Sequence, residues 1–220
     1  MSTLTLSEKK EDLEIEVFGS VYPPTEDSFL LAKHAPTLKG RILDMCTGSG
    51  IAALTNAKTN PRNEVIGVDI NPEAVRCATK NAKANKIKNA SFFVSDLFDK
   101  VEGKFDGILC NPPYLPSEEF DPETGITVSF NDGLRPDGDS AEAALISGKD
   151  GREFTDRFID ECRAHLEDGG KVLLLQSSLN DIGLTIARLE AKGFKARVMG
   201  KESFFFEEIF ILEFSCKSSR

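Results

Sequence analysis

No apolar run in this 220-residue chain reaches the length a membrane-spanning helix needs, about 18 residues or more. Histidine is scarce: the two present, His34 and His165, stand far apart and cluster with nothing. The five cysteines, Cys46, Cys77, Cys110, Cys162 and Cys216, are scattered, odd in number and without a C-x-x-C pair. That argues against a zinc site of the usual spacing and against a disulfide framework, so no metal is expected. Reduced thiols, mostly buried as small hydrophobes, fit a reducing, cytoplasmic setting. Residues 1–13 are polar and acidic and lack the apolar core of a signal peptide. Positive charge is also short, with 27 Lys and Arg against 36 Asp and Glu, a net charge of −9. Such a surface disfavours broad contact with nucleic acid, whose binding rests on Lys and Arg neutralising phosphates. It suits a basic protein partner or a small ligand. Repeats and low-complexity tracts are missing as well, and the length fits one domain over residues 1–220.

What the chain does have is alternation. Residues 1–18 are charged and expected to fray, with a short strand at Leu13–Phe18. Pro23 and Pro24 enforce an extended path, and Thr25 or Asp27 caps a helix that runs to about Ala35. "RILDMC", "EVIGVD", "ASFFVS", "FDGILC" and "KVLLLQ" then read as five strands. Helices separate them at "IAALTNAKT", at "INPEAVRCATKNAKANK" and at "REFTDRFIDECRAHL", the last ended by Gly169-Gly170. In the second of these Asn71 is the cap, Pro72 the first position and Glu73 the first turn. After a helix at "NDIGLTIARLEAKG", "FKARVMG" and "FEEIFILEF" close as antiparallel neighbours. The prediction is an α/β fold of Rossmann-like type: a mixed seven-stranded sheet, mostly parallel, with helices on both faces and a C-terminal antiparallel hairpin. Its first five strands take the order 3-2-1-4-5. One segment does not fit. Leu115–Lys149 is long, weakly periodic and rich in Gly, Pro and acids, and reads equally as a functional loop or a disordered insertion.

The first strand runs into Gly48-Ser49-Gly50-Ile51-Ala52-Ala53, a G-x-G-x-x-G/A match between strand and helix, and Asp69 closes the second strand about 20 residues on. Glycines let backbone approach a ligand closely, and the acid accepts from ribose hydroxyls. A tight turn with no ligand is the plainer reading of the same residues. Asp44 lies inside the first strand, where a carboxylate is out of place unless it meets a cation such as an amino group. Asp96 ends the third strand, placed to accept from an adenine amine while Leu97 covers the ring. Beyond the glycine turn nothing suits a pyrophosphate. Ammonium, ribose and adenine without phosphate describe S-adenosylmethionine. A nicotinamide-dependent oxidoreductase on the shared fingerprint is the alternative.

The fourth strand stops at "NPPY", Asn111 to Tyr114. Each proline fixes its own φ and pushes the residue before it toward extended geometry. The Asn111 side-chain oxygen and the Pro112 carbonyl then stand as two fixed acceptors for the N–H bonds of a planar NH₂ group, with Tyr114 over its flat face. Such a nitrogen is a poor nucleophile because its lone pair is delocalised. Accepting from both hydrogens concentrates density on it and aims the lone pair. A simple proline turn is the bland alternative.

In that order and spacing, "LDMCTGSG", "VDINPEA", "SDLF" and "NPPY" resemble the class I S-adenosylmethionine-dependent methyltransferases that act on planar amino groups, over most of Arg41–Leu115. "VYPPTEDSFLL" and "SGKDGREFTDRF" are similar to segments of the HemK-like release-factor glutamine methyltransferases of archaeal and eukaryotic type. The bacterial type carries a helical domain ahead of the glycine motif, where this chain has only residues 1–40. The resemblance implies transfer of a methyl group to the Gly-Gly-Gln glutamine of a peptide-chain release factor, giving N5-methylglutamine. A DNA or RNA amino-methyltransferase shares the NPPY motif and is the alternative. Carried over by position, Ser28, Asp44, Cys46, Gly48, Gly50, Asp69, Ile70, Asp96, Leu97 and Asn111 would contact the cofactor. Asn111, Pro112, Pro113 and Tyr114 would hold the target amide. One departure is Cys46, where the family often has glycine, so a side chain must be accommodated. Pro23 replaces a common acid, and Leu115–Gly148 matches poorly.

The resemblance also implies a small zinc-binding activator subunit that adds a strand at the edge of the third strand, Ala90–Ser95. The adjacent Phe92 and Phe93 make both faces there apolar, which invites pairing at an exposed edge. Coverage by this chain's own helices accounts for them equally well. Glu26 and Asp27 are expected to order the N-terminal segment against the cofactor crevice. Glu153, Asp156 and the lysines at 80, 83, 86 and 88 read as solvated helix faces or caps.

Overall fold

The charged N-terminus forms a two-stranded antiparallel ribbon, β1 (Ser2–Leu6) and β2 (Leu13–Val17). The computed structural model describes residues 2–6, 13–121, 126–129, 145–204 and 207–216. After the ribbon come α1 (Glu26–His34), β3 (Arg41–Met45), α2 (Ile51–Thr59), β4 (Glu64–Asp69), α3 (Pro72–Ala84), β5 (Ala90–Val94) and β6 (Phe105–Cys110). A small antiparallel hairpin, β7 (Glu118–Asp121) with β8 (Ile126–Ser129), lies within the long loop. The chain continues through α4 (Glu153–Glu161), β9 (Leu166–Ser177), α5 (Ile182–Ala191), β10 (Phe194–Ser203) and β11 (Glu208–Cys216).

Seven strands form one sheet in the order β10-β11-β9-β6-β3-β4-β5. The five strands from β9 to the β5 edge pair in parallel because a helix or long crossover returns the chain each time. β11 runs antiparallel to both β9 and β10. The strand order reverses between β3 and β6, and ligands of open α/β sheets bind beyond the carboxyl ends at such a point.

Both faces of the central strands are covered, so they read as continuous apolar runs. Ile42 and Leu109 pack with Leu30 and Leu31 of α1 and Ala52 and Ala53 of α2. Their neighbours Leu43 and Ile108 point the other way, toward Phe158 and Ile159 of α4 and Leu189 of α5. Removing a fully buried ring such as Phe158 would cost roughly 3–5 kcal/mol.

On α3, Asn71 caps the start, its Oδ1 accepting from Glu73 N at 2.8 Å, with Pro72 at the first position as expected. One turn apart further on, Asn81 and Asn85 do something the sequence pattern did not announce. Their amides pair with the β2 backbone: Asn81 accepts from Glu16 N and donates to Glu16 O, both at 3.0 Å. Asn85 does the same with Glu14, at 3.0 and 2.8 Å. Two helix side chains thereby satisfy strand groups that would otherwise need a neighbouring strand. The apolar residues Leu13, Ile15 and Val17 then seal against α2 and α3.

Two further differences from the sequence reading have physical causes. The helix expected to end at Gly169-Gly170 stops at Glu161, a 3-10 turn covers Cys162–His165, and β9 starts at Leu166. The register jumps from Phe105↔Leu166 to Gly107↔Lys171, so the glycines serve a wide bulge, with Gly169 at φ +82°, and not a helix stop. Of the expected frayed N-terminus, residues 2–6 and 13–17 are the ribbon, while residues 7–12 lie outside the described residues. In the long loop, residues 122–125 and 130–144 also lie outside them. Among the described residues, no helix is long and apolar enough to cross a membrane.

Candidate functional site

A cleft of about 510 Å³ opens beyond the carboxyl ends of β3, β4, β5 and β6. That volume falls within the range of small-molecule sites, roughly 300–1,000 Å³. Asp44 stands at its base, buried inside β3. One oxygen, Oδ2, accepts from Thr47 Oγ1 at 2.7 Å and from Ala53 N, in the first turn of α2, at 3.2 Å. Burial pushes the carboxyl up to about 7, with Asp69 adding to the rise, and these two hydrogen bonds oppose it. A cation beside it would restore the ionised form.

The glycine turn continues from there. Cys46 adopts φ +59° and Gly48 φ +53°, both in the left-handed region that favours glycine. The Cys46 side chain is accommodated against the core; the Cys110 thiol beside it and burial hold its own thiol well up, so it stays neutral. A Cβ built on Gly48 would meet nothing within 4 Å, because that direction is the open cleft. Gly50 differs. It does not line the cleft; a Cβ there would come within 2.9 Å of Ala78 Cβ, so this glycine lets α3 pack on the turn.

Asp69 closes β4 with both oxygens engaged: Oδ2 accepts from Gly48 N and Oδ1 from Asn71 N, each at 2.9 Å. Burial raises its pKa and these backbone N–H groups pull it back. Ile70 beside it is exposed and lines the cleft. At the end of β5, Leu97 is held at φ +43° and packs into the core while its neighbour Asp96 reaches the rim. There Asp96 faces Arg157 of α4 at 3.4 Å, both side chains nearly half exposed. Val21, Tyr22 and Pro24 roof the cleft, and that segment is tied down where Ser20 N donates to Glu73 Oε2 at 2.7 Å.

Asn111, Pro112, Pro113 and Tyr114 follow β6 and all line the cleft. The turn is braced from behind. Tyr114 N donates to Leu145 O at 3.0 Å, and the Tyr114 carbonyl accepts from Asn180 Nδ2 at 2.7 Å. Arg152, buried, donates to the Asn180 carbonyl and pairs with Asp156 at 2.9 Å. Gly151, at φ +72°, sits so close that a Cβ would lie 2.3 Å from Tyr114 O. Leu115 and Ile146 bridge in parallel, so the two ends of the long loop close beside the motif. Burial, with Asp27, Glu207 and Tyr22 nearby, pushes the Tyr114 hydroxyl up and keeps it neutral.

The Asn111 amide is unusual. Its Nδ2 donates to Asp27 Oδ2 at 3.1 Å, while its Oδ1 is buried and has no hydrogen-bond partner among the described residues. Ser28, next to Asp27, also lines the cleft. The cleft thus brings together every residue singled out from the sequence except Gly50. Thr47, Arg157 and Asn180 were not singled out. Thr47 directly precedes the glycine motif, a position the sequence could have flagged; nothing in spacing ties Asp27 to Asn111 or Asn180 to Tyr114.

Comparison with known proteins gives the family. Residues 20–131 match the family model described as the methyltransferase small domain. A Methanocaldococcus jannaschii chain assigned as a protein N5-glutamine methyltransferase is 41% identical over 203 residues, covering 92% of this chain and 95% of its own. The release factor glutamine methyltransferase of Thermodesulfovibrio yellowstonii is 36% identical over 137 residues, 61% of this chain and 45% of that one. The chain therefore spans about half the length of that bacterial relative. Among solved structures, one from the E. cuniculi Mtq2–Trm112 complex, responsible for methylating the eRF1 translation termination factor, superposes with a TM-score of 0.64. It is 23% identical and covers 90% of this chain and 99% of that one, a likeness of fold. Family model, relative and fold agree: the chain belongs to the methyltransferase small domain family and is a methyltransferase.

Proposed function

We propose that the chain transfers a methyl group from S-adenosylmethionine to the side-chain amide nitrogen of a protein glutamine, that of the Gly-Gly-Gln loop of a peptide-chain release factor. The observation that carries this is the Asn111 side chain: a buried acceptor oxygen without a partner among the described residues, in the wall of a cleft that Asp44, Asp69 and Asp96 also line. An unpaired buried acceptor costs about 1–3 kcal/mol, and an amide N–H removes that cost.

The residues fit the cofactor. Gly48 leaves open space where any side chain would intrude, Asp44 needs a cation, and Asp69 and Asp96 offer acceptors at the ends of neighbouring strands. Asp44 would meet the ammonium group, Asp69 the ribose hydroxyls and Asp96 the adenine amine, with Leu97, Ile70, Ser28 and the main chain at Cys46 completing the wall. Bound there, the cofactor supplies an electrophilic methyl on a sulfonium.

Asn111 Oδ1 accepts one N–H of the target amide and the Pro112 main-chain oxygen the other. That turns the nitrogen lone pair toward the methyl and raises its electron density. The prolines keep both acceptors from relaxing away. Tyr114, neutral, covers the amide plane and shields it from water. With a donor bound, the target nitrogen would take the methyl from sulfur, leaving a neutral thioether, and would release its surplus proton to solvent.

A small zinc-binding activator subunit pairs along β5. That strand is the sheet's edge, and Phe92 and Phe93 are only partly covered by this chain. Purification of a monodisperse chain that is fully active alone would remove this part of the reading. The central test is transfer of labelled methyl to a release factor. The label should vanish when the Gly-Gly-Gln glutamine is changed and should not appear on adenine-containing DNA or RNA. Label retained on the changed release factor, or found on nucleic acid, overturns the substrate assignment.

A further inference from the structure

We infer that Asp27 is a positioning residue for Asn111: its carboxylate decides which end of the Asn111 amide is left free for substrate. The inference rests on the role proposed for Asn111 above.

The two ends of an asparagine amide are nearly the same size, so packing alone scarcely distinguishes them. A half-turn about the last side-chain bond exchanges an acceptor for a donor. At this site the exchange is decisive. With Oδ1 free, the side chain can receive an N–H of the target amide; with Nδ2 free, it would present hydrogens to hydrogens. Only a fixed charge or hydrogen bond on the far end can set the choice.

Asp27 supplies it. The side chain is 4% exposed and its Oδ2 lies 3.1 Å from Asn111 Nδ2. An ionised carboxylate only accepts, so the flipped amide would set oxygen against oxygen. The other oxygen is saturated: Asp27 Oδ1 accepts from Thr25 Oγ1 at 2.6 Å, from Ser28 N at 2.5 Å and from Ser28 Oγ at 3.0 Å. Those donors fix the carboxylate's plane and reserve Oδ2 for Asn111. Lying in the first turn of α1, Asp27 also has the helix N-terminus to favour its negative charge. A charge-assisted hydrogen bond of this kind is about twice as strong as a neutral one. It also polarises the amide, which leaves more electron density on Oδ1. Fixing and polarising come from one contact between residues 84 apart in sequence.

A double-mutant cycle on the full-length protein tests this, with labelled-methyl turnover, S-adenosylhomocysteine affinity and thermal midpoint as readouts. Asp27→Asn keeps the shape but frees the flip. It should lower kcat by roughly tenfold while cofactor affinity and thermal midpoint hold. On an Asn111→Ala background the same change should cost less than about twofold, since the side chain it acts through is gone. Wild-type turnover in Asp27→Asn beside a disabled Asn111→Ala overturns the inference and leaves the Asn111 role standing. A full loss carried onto the Asn111→Ala background also overturns it, because Asp27 would then act on the cofactor directly. Wild-type turnover in Asn111→Ala ends both readings. If Asp27→Asn unfolds, Asp27→Glu, which keeps the charge and shifts its reach, carries the same cycle.

Discussion

The two halves of the cleft treat their polar groups in opposite ways. On the cofactor side, Asp44 and Asp69 are held by the chain's own main-chain N–H groups, at Ala53, Gly48 and Asn71. On the acceptor side, Asn111 Oδ1 has no partner among the described residues, and the turn around it is fixed through Asn180, Leu145 and Gly151. The first half is already held in place by the chain, though Asp44 still lacks a cation to keep it ionised; the second is rigid, with its acceptor oxygen open. A binding site can afford self-satisfied carboxylates because they have lone pairs to spare, whereas orienting one N–H calls for an acceptor with no other donor in reach.

That contrast can be broken most sharply at Asn111. Asn111→Ala should cut turnover by about a hundredfold while S-adenosylhomocysteine binding, read by calorimetry, stays close to wild type. A parallel loss of binding would mean the halves are not separable. Next comes Asp44→Asn, which should weaken cofactor binding by roughly tenfold or more. It also has a pH signature. The folded carboxyl is raised to about 7, so from the ordinary carboxylate range up to about 7 the fold holds a proton that the unfolded chain has lost. The ligand-free protein therefore loses stability as pH rises through that window, and Asp44→Asn should flatten this part of the thermal-midpoint curve.

A smaller effect is expected behind the acceptor turn. Gly151→Ala forces a Cβ against Tyr114 O at φ +72°, a strain of about 1–3 kcal/mol. The thermal midpoint should fall by several degrees and turnover with it, while cofactor affinity changes little. Smallest is Arg157→Ala at the rim. The pair with Asp96 is nearly half exposed, so cofactor affinity should move by no more than about threefold. A large gain in affinity would show Arg157 competing with the adenine amine for Asp96.

How much of this was legible follows the same division. The glycine turn, the acids at strand ends and the NPPY turn are each fixed by neighbours within a few residues, where backbone geometry and residue type speak directly. Sheet order followed from the alternation, since parallel crossovers leave few arrangements. The misses are contacts at long range or glycines with two uses. Gly169-Gly170 reads as a helix stop but serves a bulge in β9, and Gly50 has a packing use, room for Ala78, beside the ligand contact its motif suggests. The Asp27–Asn111 contact joins distant segments that no periodicity connects.

Asn81 has a consequence of its own. The amide that accepts from Glu16 N also donates to Ser49 O at 2.9 Å, inside the glycine turn. A single buried side chain therefore rivets the leading ribbon to the floor under the cofactor. Peeling the ribbon away would leave Ser49's carbonyl with a loosened anchor, so β1 and β2 are mechanically part of the cleft although none of their residues lines it.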